Sequence, residues 1–236
     1  MATIASRLQQ VEQRIAAACA AAGRSVDSVT LLAVGKTQSA QTLREAHGSG
    51  LRRFGENYVQ EALAKMDALA DLRPAVEWHL IGPLQGNKTR AAAERFDWVH
   101  SVDRLKLAER LSAQRPPHLP PLQVCLQVNI SGEASKSGLA PAEVPAVAHA
   151  VAALPGLRLR GLMAIPAPSG DEAGRRAPHR ALRELLLALC GQGLALDTLS
   201  MGMSADLEGA IAEGSTLVRV GTAIFGERAL TVGRTD

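Results

Sequence analysis

The feature that most constrains the fold is a regular alternation of short β-rich runs with helical patterns along almost the whole chain. The runs are VTLLAVGK, LRRFGEN, AVEWHLIG, FDWVHSVD, LQVCLQVNI, LRLRGLMAI, LDTLSMGMS and STLVRVG. Strands that alternate with helices form parallel sheets, because two parallel strands need a crossover connection between them. The pattern therefore predicts an α/β fold built from eight βα units.

Chain length decides between the two large parallel architectures. Eight βα units in 236 residues favour a single closed (β/α)8 TIM-type barrel over an open doubly wound sheet, since about 250 residues is typical of such barrels. An additional N-terminal helix is predicted from an apolar stripe at steps of four and three residues, which ends near Gly23 and consists of Ile4, Leu8, Val11 and Ile15. Strands continue on both sides of the proline-rich segment 115–121, so residues 1–236 are predicted to form one domain. The polar segment 166–178 is predicted to be a loop.

Composition narrows the class of protein. The cysteines, Cys19, Cys125 and Cys190, lie far apart and form neither a disulfide framework nor a zinc-ligand spacing. The amphipathic N-terminal segment lacks the features of a secretory signal, so we expect a cytoplasmic protein. Basic residues are scattered despite the net charge of +3, and aromatic residues make up only 3% of the chain. We therefore expect neither a nucleic-acid nor a membrane partner, and we expect a monomer.

Polar residues at the ends of the predicted strands mark the candidate site, because barrel active sites lie at the carboxyl ends of the strands. Lys36 ends the first run. Its Gly-Lys-Thr context is not a P-loop, because Thr30 stands where that motif requires a glycine. A desolvated lysine amine at a strand tip can form an imine with a carbonyl compound. The sequence shows neither a Ser/His/Asp triad nor a Cys/His metal cluster.

A phosphate site is predicted at the last two βα units. Loops after strands seven and eight often bind phosphate in barrels, and here they contain Ser204, Gly221 and Thr222. Taken singly, Ser204 can be a helix cap and Gly221 a turn residue. A phosphate site opposite an imine-forming lysine describes pyridoxal 5′-phosphate, or PLP.

Arg219, in the last strand, is the candidate partner of the PLP ring nitrogen. An arginine can only donate hydrogen bonds, so it would leave that nitrogen unprotonated and weaken the ring as an electron sink. The alternative is an outward arginine that pairs with a surface carboxylate.

Longer motifs extend this interpretation to nearly the whole chain. The segments LLAVGKTQ, RRFGENYVQEALAKM, EWHLIGPLQGNKTR, VNISGEASKSG, GLMAI and LSMGMSADLEGAIAEGSTLVRVGTAIFGER together resemble the pyridoxal-phosphate homeostasis proteins, relatives of the barrel domain of alanine racemase. The resemblance implies a Schiff base between PLP and Lys36, with Arg219 at the ring nitrogen. It also implies that Ser204, Gly221 and Thr222 surround the phosphate, and that Asn57 and His79 lie near the ring.

The resemblance implies a protein that binds and stores PLP and delivers it to apo PLP-dependent enzymes, rather than an enzyme. The alternatives are a racemase-type PLP enzyme and a module that binds another phosphorylated ligand without forming an imine. Racemisation needs an acid and a base on opposite faces of the substrate, and Tyr58 is the single tyrosine in the chain.

Lys136 and the tail lie outside the residues that the resemblance assigns to the cofactor site. Lys136, in a loop of small residues, is a candidate transfer point for PLP, although a solvated lysine is the simpler interpretation. After FGER, relatives often continue with Asp-Tyr and a basic tail, whereas this chain has Ala229 and Leu230. The role of the tail therefore cannot be transferred from the family.

Overall fold

The computed structural model describes residues 2–133, 137–167 and 170–226, and they form a closed barrel of eight parallel strands. Each strand pairs with the next in the chain, and β8 pairs with β1. The strands are Thr30–Val34 (β1), Arg53–Glu56 (β2), Glu77–Leu80 (β3), Trp98–Val102 (β4), Leu122–Gln127 (β5), Leu157–Met163 (β6), Thr198–Ser200 (β7) and Leu217–Val220 (β8). The predicted α/β fold with a TIM-type barrel is confirmed, and each of the eight β-rich runs contains one strand.

Helices surround this barrel. They are Ile4–Ala21 (α1), Ala40–Gly48 (α2), Val59–Ala68 (α3), Thr89–Arg95 (α4), Leu105–Gln114 (α5), Val144–Ala152 (α6), Glu172–Gly191 (α7), Leu207–Ala212 (α8) and Thr222–Phe225 (α9). The predicted N-terminal helix is α1, which buries Leu8, Val11 and Ile15 and packs against α8 and α9. None of the helices in the described ranges is long and apolar enough to span a membrane.

The start of α7 corrects one prediction. A loop over 166–178 is wrong in its second half, because α7 begins at Glu172 and contains Pro178. The Asp171 carboxylate caps the helix by accepting a hydrogen bond from the Gly174 amide at 2.6 Å. Arg176 also donates to Glu213, a buried carboxylate beyond α8, at 2.9 Å. These contacts outweigh the polar, proline-containing composition on which the loop prediction rests.

Polar side chains fill part of the barrel interior. TIM-barrel interiors are dominated by branched aliphatic residues, and Leu32, Val34, Ile81 and Leu217 form such a cluster here. His100 of β4, however, lies 2.8 Å from the hydroxyl of Ser200 of β7. Strands four and seven are not neighbours in the barrel, so this hydrogen bond crosses its interior.

Close packing of β6 against β7 depends on Gly161. A Cβ atom at this position would lie 1.8 Å from the Thr198 carbonyl oxygen, so Gly161→Ala should lower the free energy of unfolding by about 3 kcal/mol. Chemical denaturation measures the change. Gly191→Ala at the end of α7 is the control, because a Cβ there meets nothing within 4 Å. Equal stabilities of the two variants would contradict the packing argument.

Candidate functional site

A cavity of about 310 Å³ opens where the carboxyl ends of the strands meet. Among its lining residues are six of the seven predicted site residues, namely Lys36, Asn57, Ser204, Arg219, Gly221 and Thr222. The seventh, His79, is fully buried in β3 and is not among the residues that line the cavity. The predicted polar residues are thus gathered from four separate stretches of the chain.

The peptide groups on both sides of Lys36 are held in place. The Lys65 ammonium donates to the Gly35 carbonyl at 2.7 Å, and the Thr37 amide donates to the Glu61 carboxylate at 2.5 Å. Thr37 has a φ of 64°, an uncommon conformation for a residue other than glycine. The Lys36 amine itself makes no ion pair or hydrogen bond with any residue that the structure describes. Its backbone is therefore fixed while its amine stays available.

A buried ionic cluster of Glu56, Glu61 and Lys65 supports this backbone. The Lys65 ammonium lies 2.8 Å from a Glu56 oxygen and 2.7 Å from a Glu61 oxygen, and the side chain of Glu56 is fully buried. Burial raises the pKa of Glu56 to about 7, although the hydrogen bond and positive charge of Lys65 act against this shift. This cluster was not identified from the sequence. The spacing of four residues between Glu61 and Lys65 on α3 was the one available signal.

Arg219 points into the barrel and not to the surface. It is 4% exposed, and its Nη1 donates to the Ser200 carbonyl at 2.6 Å and to the Ser200 hydroxyl at 2.8 Å. Its Nη2 donates to the Ala164 carbonyl at 2.9 Å. A guanidinium has five N–H groups, so two of them find no partner among the described residues. Burial lowers the pKa of Arg219 to about 10, and the group is still protonated at neutral pH.

The turn that contains Ser204 is fixed from outside the barrel. Asp206 accepts a hydrogen bond from the Met203 amide at 2.7 Å and contacts the His179 ring of α7 at 3.0 Å. Arg14 of α1 donates to the Ser204 carbonyl at 2.9 Å. Since α8 begins only at Leu207, Ser204 is not its N-cap. The Ser204 hydroxyl forms no hydrogen bond within the described part of the chain.

Glycines allow the other cavity residues to approach one another. A Cβ at Gly221 would lie 3.3 Å from the Val34 carbonyl oxygen, so Gly221 lets the start of α9 approach β1 closely. The Ile224 amide donates back to the Gly221 carbonyl at 2.9 Å. The amides of Thr222 and Ala223 come before the Ile224 amide in α9, so they have no hydrogen-bond acceptor within the helix.

A further glycine sets the position of Asn57. A Cβ at Gly82 would lie 2.2 Å from the Asn57 carbonyl oxygen, so the chain after β3 packs directly on the backbone of Asn57.

Apolar side chains complete the cavity. Val34 and Ile81 belong to the aliphatic cluster inside the barrel, whereas Ile165 and Met203 are 40% and 38% exposed. The sequence does not mark these apolar residues as part of a site, because a single apolar side chain in a segment such as GLMAI or SMGMS does not distinguish a cavity wall from the core. An amine, unpaired guanidinium N–H groups, hydroxyls and apolar walls together fit a phosphorylated aromatic aldehyde such as PLP.

Two predictions fall outside the described residues. Lys136 belongs to the undescribed segment 134–136, and Ala229 and Leu230 belong to the undescribed residues that follow Gly226.

Comparison with known proteins gives matches over nearly the whole chain. The family model "Alanine racemase, N-terminal domain" matches residues 7–229. A pyridoxal phosphate homeostasis protein of Pseudomonas aeruginosa is 63% identical over 228 residues, which cover 97% of each chain. The protein of the same name from Escherichia coli K12 is 52% identical over 229 residues, which cover 97% of this chain and 98% of that one.

A solved structure is similar as well. PipY of Synechococcus elongatus, in a structure with PLP bound, is 40% identical and superposes with a TM-score of 0.83. The match covers 95% of this chain and 100% of that one.

The raised pKa of Glu56 predicts how stability depends on pH. The folded protein keeps this proton up to a pH of about 7, whereas an unfolded chain loses it near the usual value of 4.5. The folded state therefore binds more protons between these values, and the Glu56 contribution to the free energy of unfolding falls as the pH rises. A glutamine side chain cannot ionise, so Glu56→Gln should lack this loss of stability. Between pH 5 and pH 8, its free energy of unfolding should therefore rise by up to about 3 kcal/mol relative to that of the wild type.

Urea denaturation at several pH values measures this difference. Glu94→Gln, on an exposed position of α4, is the matched control. A stability difference between Glu56→Gln and the wild type that stays constant with pH would contradict the shift.

Proposed function

Since this chain belongs to the family of pyridoxal phosphate homeostasis proteins, we propose that it binds PLP in the cavity at the carboxyl ends of the strands and takes part in intracellular PLP homeostasis. One observation carries the proposal: the unpaired amine of Lys36 and the unpaired N–H groups of Arg219 belong to the same cavity. A binding site for this cofactor needs an amine for its aldehyde and a donor for its ring nitrogen.

Each cavity residue has a proposed role toward the cofactor. When bound, PLP supplies an aldehyde that condenses with an amine and a ring that withdraws electrons. Lys36 holds the aldehyde carbon as a Schiff base. Arg219 donates a hydrogen bond to the ring nitrogen and, because it has no lone pair to offer, leaves that nitrogen unprotonated.

The remaining polar groups hold the phosphate and the ring. Ser204 and Thr222 donate from their hydroxyls to the phosphate, and Gly221 lets the backbone come close to it. Asn57 contributes an amide beside the ring. Ile165 and Met203 shield the ring from water at the rim of the cavity.

Binding and delivery, rather than turnover, is the proposed role. A racemase needs a second acid or base opposite the lysine. Tyr58 is the single tyrosine, its side chain is 62% exposed, and it does not line the cavity. A ring whose nitrogen stays unprotonated also stabilises a carbanion poorly. The position of Tyr58 and the proposed role of Arg219 are consistent with a protein that holds PLP reversibly and supplies it to apo-enzymes.

The setting of this function is also part of the proposal. The cysteines at positions 19, 125 and 190 are free thiols, as in the reducing cytoplasm. A cytoplasmic location, a monomeric state and a single domain over residues 1–236 remain predictions.

Lys36→Ala should abolish covalent attachment of PLP. We expect the wild type to show a visible imine band with PLP, and borohydride to convert it into a stable adduct seen by intact mass. Lys106→Ala, a lysine of α5 outside the cavity, is the control and should keep both signals. Reversible binding with no adduct in the wild type would favour the phosphate-binding module without imine chemistry.

The loaded protein should activate apo PLP-dependent enzymes faster than PLP released into solution does. The measurement compares activation with and without a competing trap for free PLP, because direct transfer escapes the trap. Activation that the trap abolishes completely would contradict delivery. Exchange of an amino acid α-hydrogen with deuterated solvent by the loaded protein would instead support the racemase-type alternative.

A further inference from the structure

A continuous chain of hydrogen bonds crosses the barrel interior from Arg219 to the opposite end of the strands. The Arg219 guanidinium contacts the Ser200 hydroxyl at 2.8 Å, and that hydroxyl lies 2.8 Å from Nδ1 of His100. Nε2 of His100 lies 2.9 Å from Nδ1 of His79, whose Nε2 lies 2.8 Å from the Glu77 carboxylate. Glu77 is the first residue of β3, and its side chain is 36% exposed. The chain thus joins the cavity to the amino-terminal mouth of the barrel.

The chemistry of its two ends fixes the direction of every bond. A guanidinium only donates, so the Ser200 oxygen accepts from Arg219 and keeps its own hydrogen for a second partner. A carboxylate only accepts, so with neutral rings each imidazole donates toward Glu77, and Nδ1 of His100 accepts the Ser200 hydrogen. His100 then carries its proton on Nε2 and donates to Nδ1 of His79. His79 in turn carries its proton on Nε2 and donates to the Glu77 carboxylate. The reverse order would place a lone pair of His79 against that carboxylate.

This arrangement requires two neutral imidazoles and an ionised Glu77. Burial lowers the pKa of His79 and lowers that of His100 well below its usual value. The charges that face the pair are Glu77 and Asp97, which favour protonation, and Arg53 and Arg219, which oppose it.

Glu77, at the far end of the hydrogen-bond chain, carries the negative charge. Burial favours the neutral form of Glu77, but its hydrogen bond and charge interaction with His79 and the charge of Arg53 lower its pKa overall. At neutral pH the two rings are therefore uncharged and Glu77 is an anion.

The chain adds to the surroundings of a buried guanidinium that makes no direct ion pair with a described residue. Within the described ranges, no carboxylate oxygen lies within 4.0 Å of Arg219, although the charge of Asp206 acts on it from farther away. An anion at the end of a hydrogen-bond chain strengthens each acceptor in turn. Glu77 therefore makes the Ser200 oxygen a better acceptor for the guanidinium, although it lies three side chains away.

We propose that Ser200, His100, His79 and Glu77 are positioning residues for Arg219. They fix the rotation of the guanidinium, so that its two unpaired N–H groups are available to the cavity, and they strengthen the Ser200 oxygen as its acceptor. The ring-nitrogen environment of bound PLP then depends on a carboxylate at the opposite mouth of the barrel. This last consequence rests on the proposed function, whereas the hydrogen-bond order does not.

The hydrogen-bond order can be tested without cofactor. Nitrogen NMR of the histidine-labelled apo protein should show His79 and His100 as neutral rings protonated on Nε2 at pH 7. Assignment uses His79→Gln and His100→Gln. A charged ring, or a proton on Nδ1 of either ring, would overturn the order.

The effect on bound PLP is tested at the exposed end of the chain. In Glu77→Ala, the visible band of the PLP imine should change and the midpoint of its pH titration should move by about 0.5 pH units or more. Glu77→Gln keeps an accepting oxygen and should restore part of the shift, whereas Glu94→Ala, a matched carboxylate loss on α4, should match the wild type. Ser200→Ala, which breaks the chain at its other end, should change the band in the same way.

The outcomes separate the two proposals. A wild type that forms no borohydride adduct counts against the proposed function and leaves the NMR result to decide the hydrogen-bond order. A wild type that forms the adduct, together with an unchanged band and midpoint in folded Glu77→Ala, overturns the positioning role. A change in thermal stability alone in that variant also overturns it, because a purely structural contact does not alter the spectrum.

Discussion

The pairing of β8 with β1 is the constraint on which the whole site depends. In the register of this pair, Arg219 lies beside Leu32 and Val220 lies beside Ala33. Lys36 follows β1 after Gly35, and Gly221 and Thr222 follow β8, so closure of the barrel brings the amine and the proposed phosphate-binding residues to the same cavity. These groups lie more than 180 residues apart in the chain, and no local structure could hold them together.

The same closure creates a problem, because the barrel interior then contains charged and polar groups. The protein accommodates these charged groups in two different ways. The cluster of Glu56, Glu61 and Lys65 pairs opposite charges directly, and burial of such a cluster contributes little net stability, because desolvation offsets the attraction. Arg219 instead has neutral acceptors in direct contact, and the charge of Asp206 acts on it without an ion pair. This arrangement leaves its remaining N–H groups free, whereas a direct carboxylate partner would occupy them.

The sequence was sufficient for the architecture and for the residues at strand ends. The alternation of β-rich runs with helical patterns, together with the chain length, indicated eight strands in a barrel. Barrel sites lie at the carboxyl ends of the strands. This rule selected the residues that come after their strands, namely Lys36, Ser204, Gly221 and Thr222. His100, Ser200 and Glu77 carried no such signal. His100 and Ser200 acquire their roles from partners on other strands, and Glu77 acquires its role through the buried ring of His79 on its own strand. The pairing of Glu56 with Lys65 and the first turns of α7 were not predicted for a similar reason: the contacts of Lys65 and Glu213 are tertiary and outweigh local composition.

The position of α1 has a consequence for when the cavity becomes complete during synthesis. α1 packs against α8 and α9, and its Arg14 holds the Ser204 turn. Helices far apart in the described chain therefore meet beside the cavity. A ribosome makes α1 and Lys36 long before it makes α9, so a growing chain contains the amine without the groups that surround it. The cavity is therefore complete only after α9 has been made, late in the synthesis of the described residues.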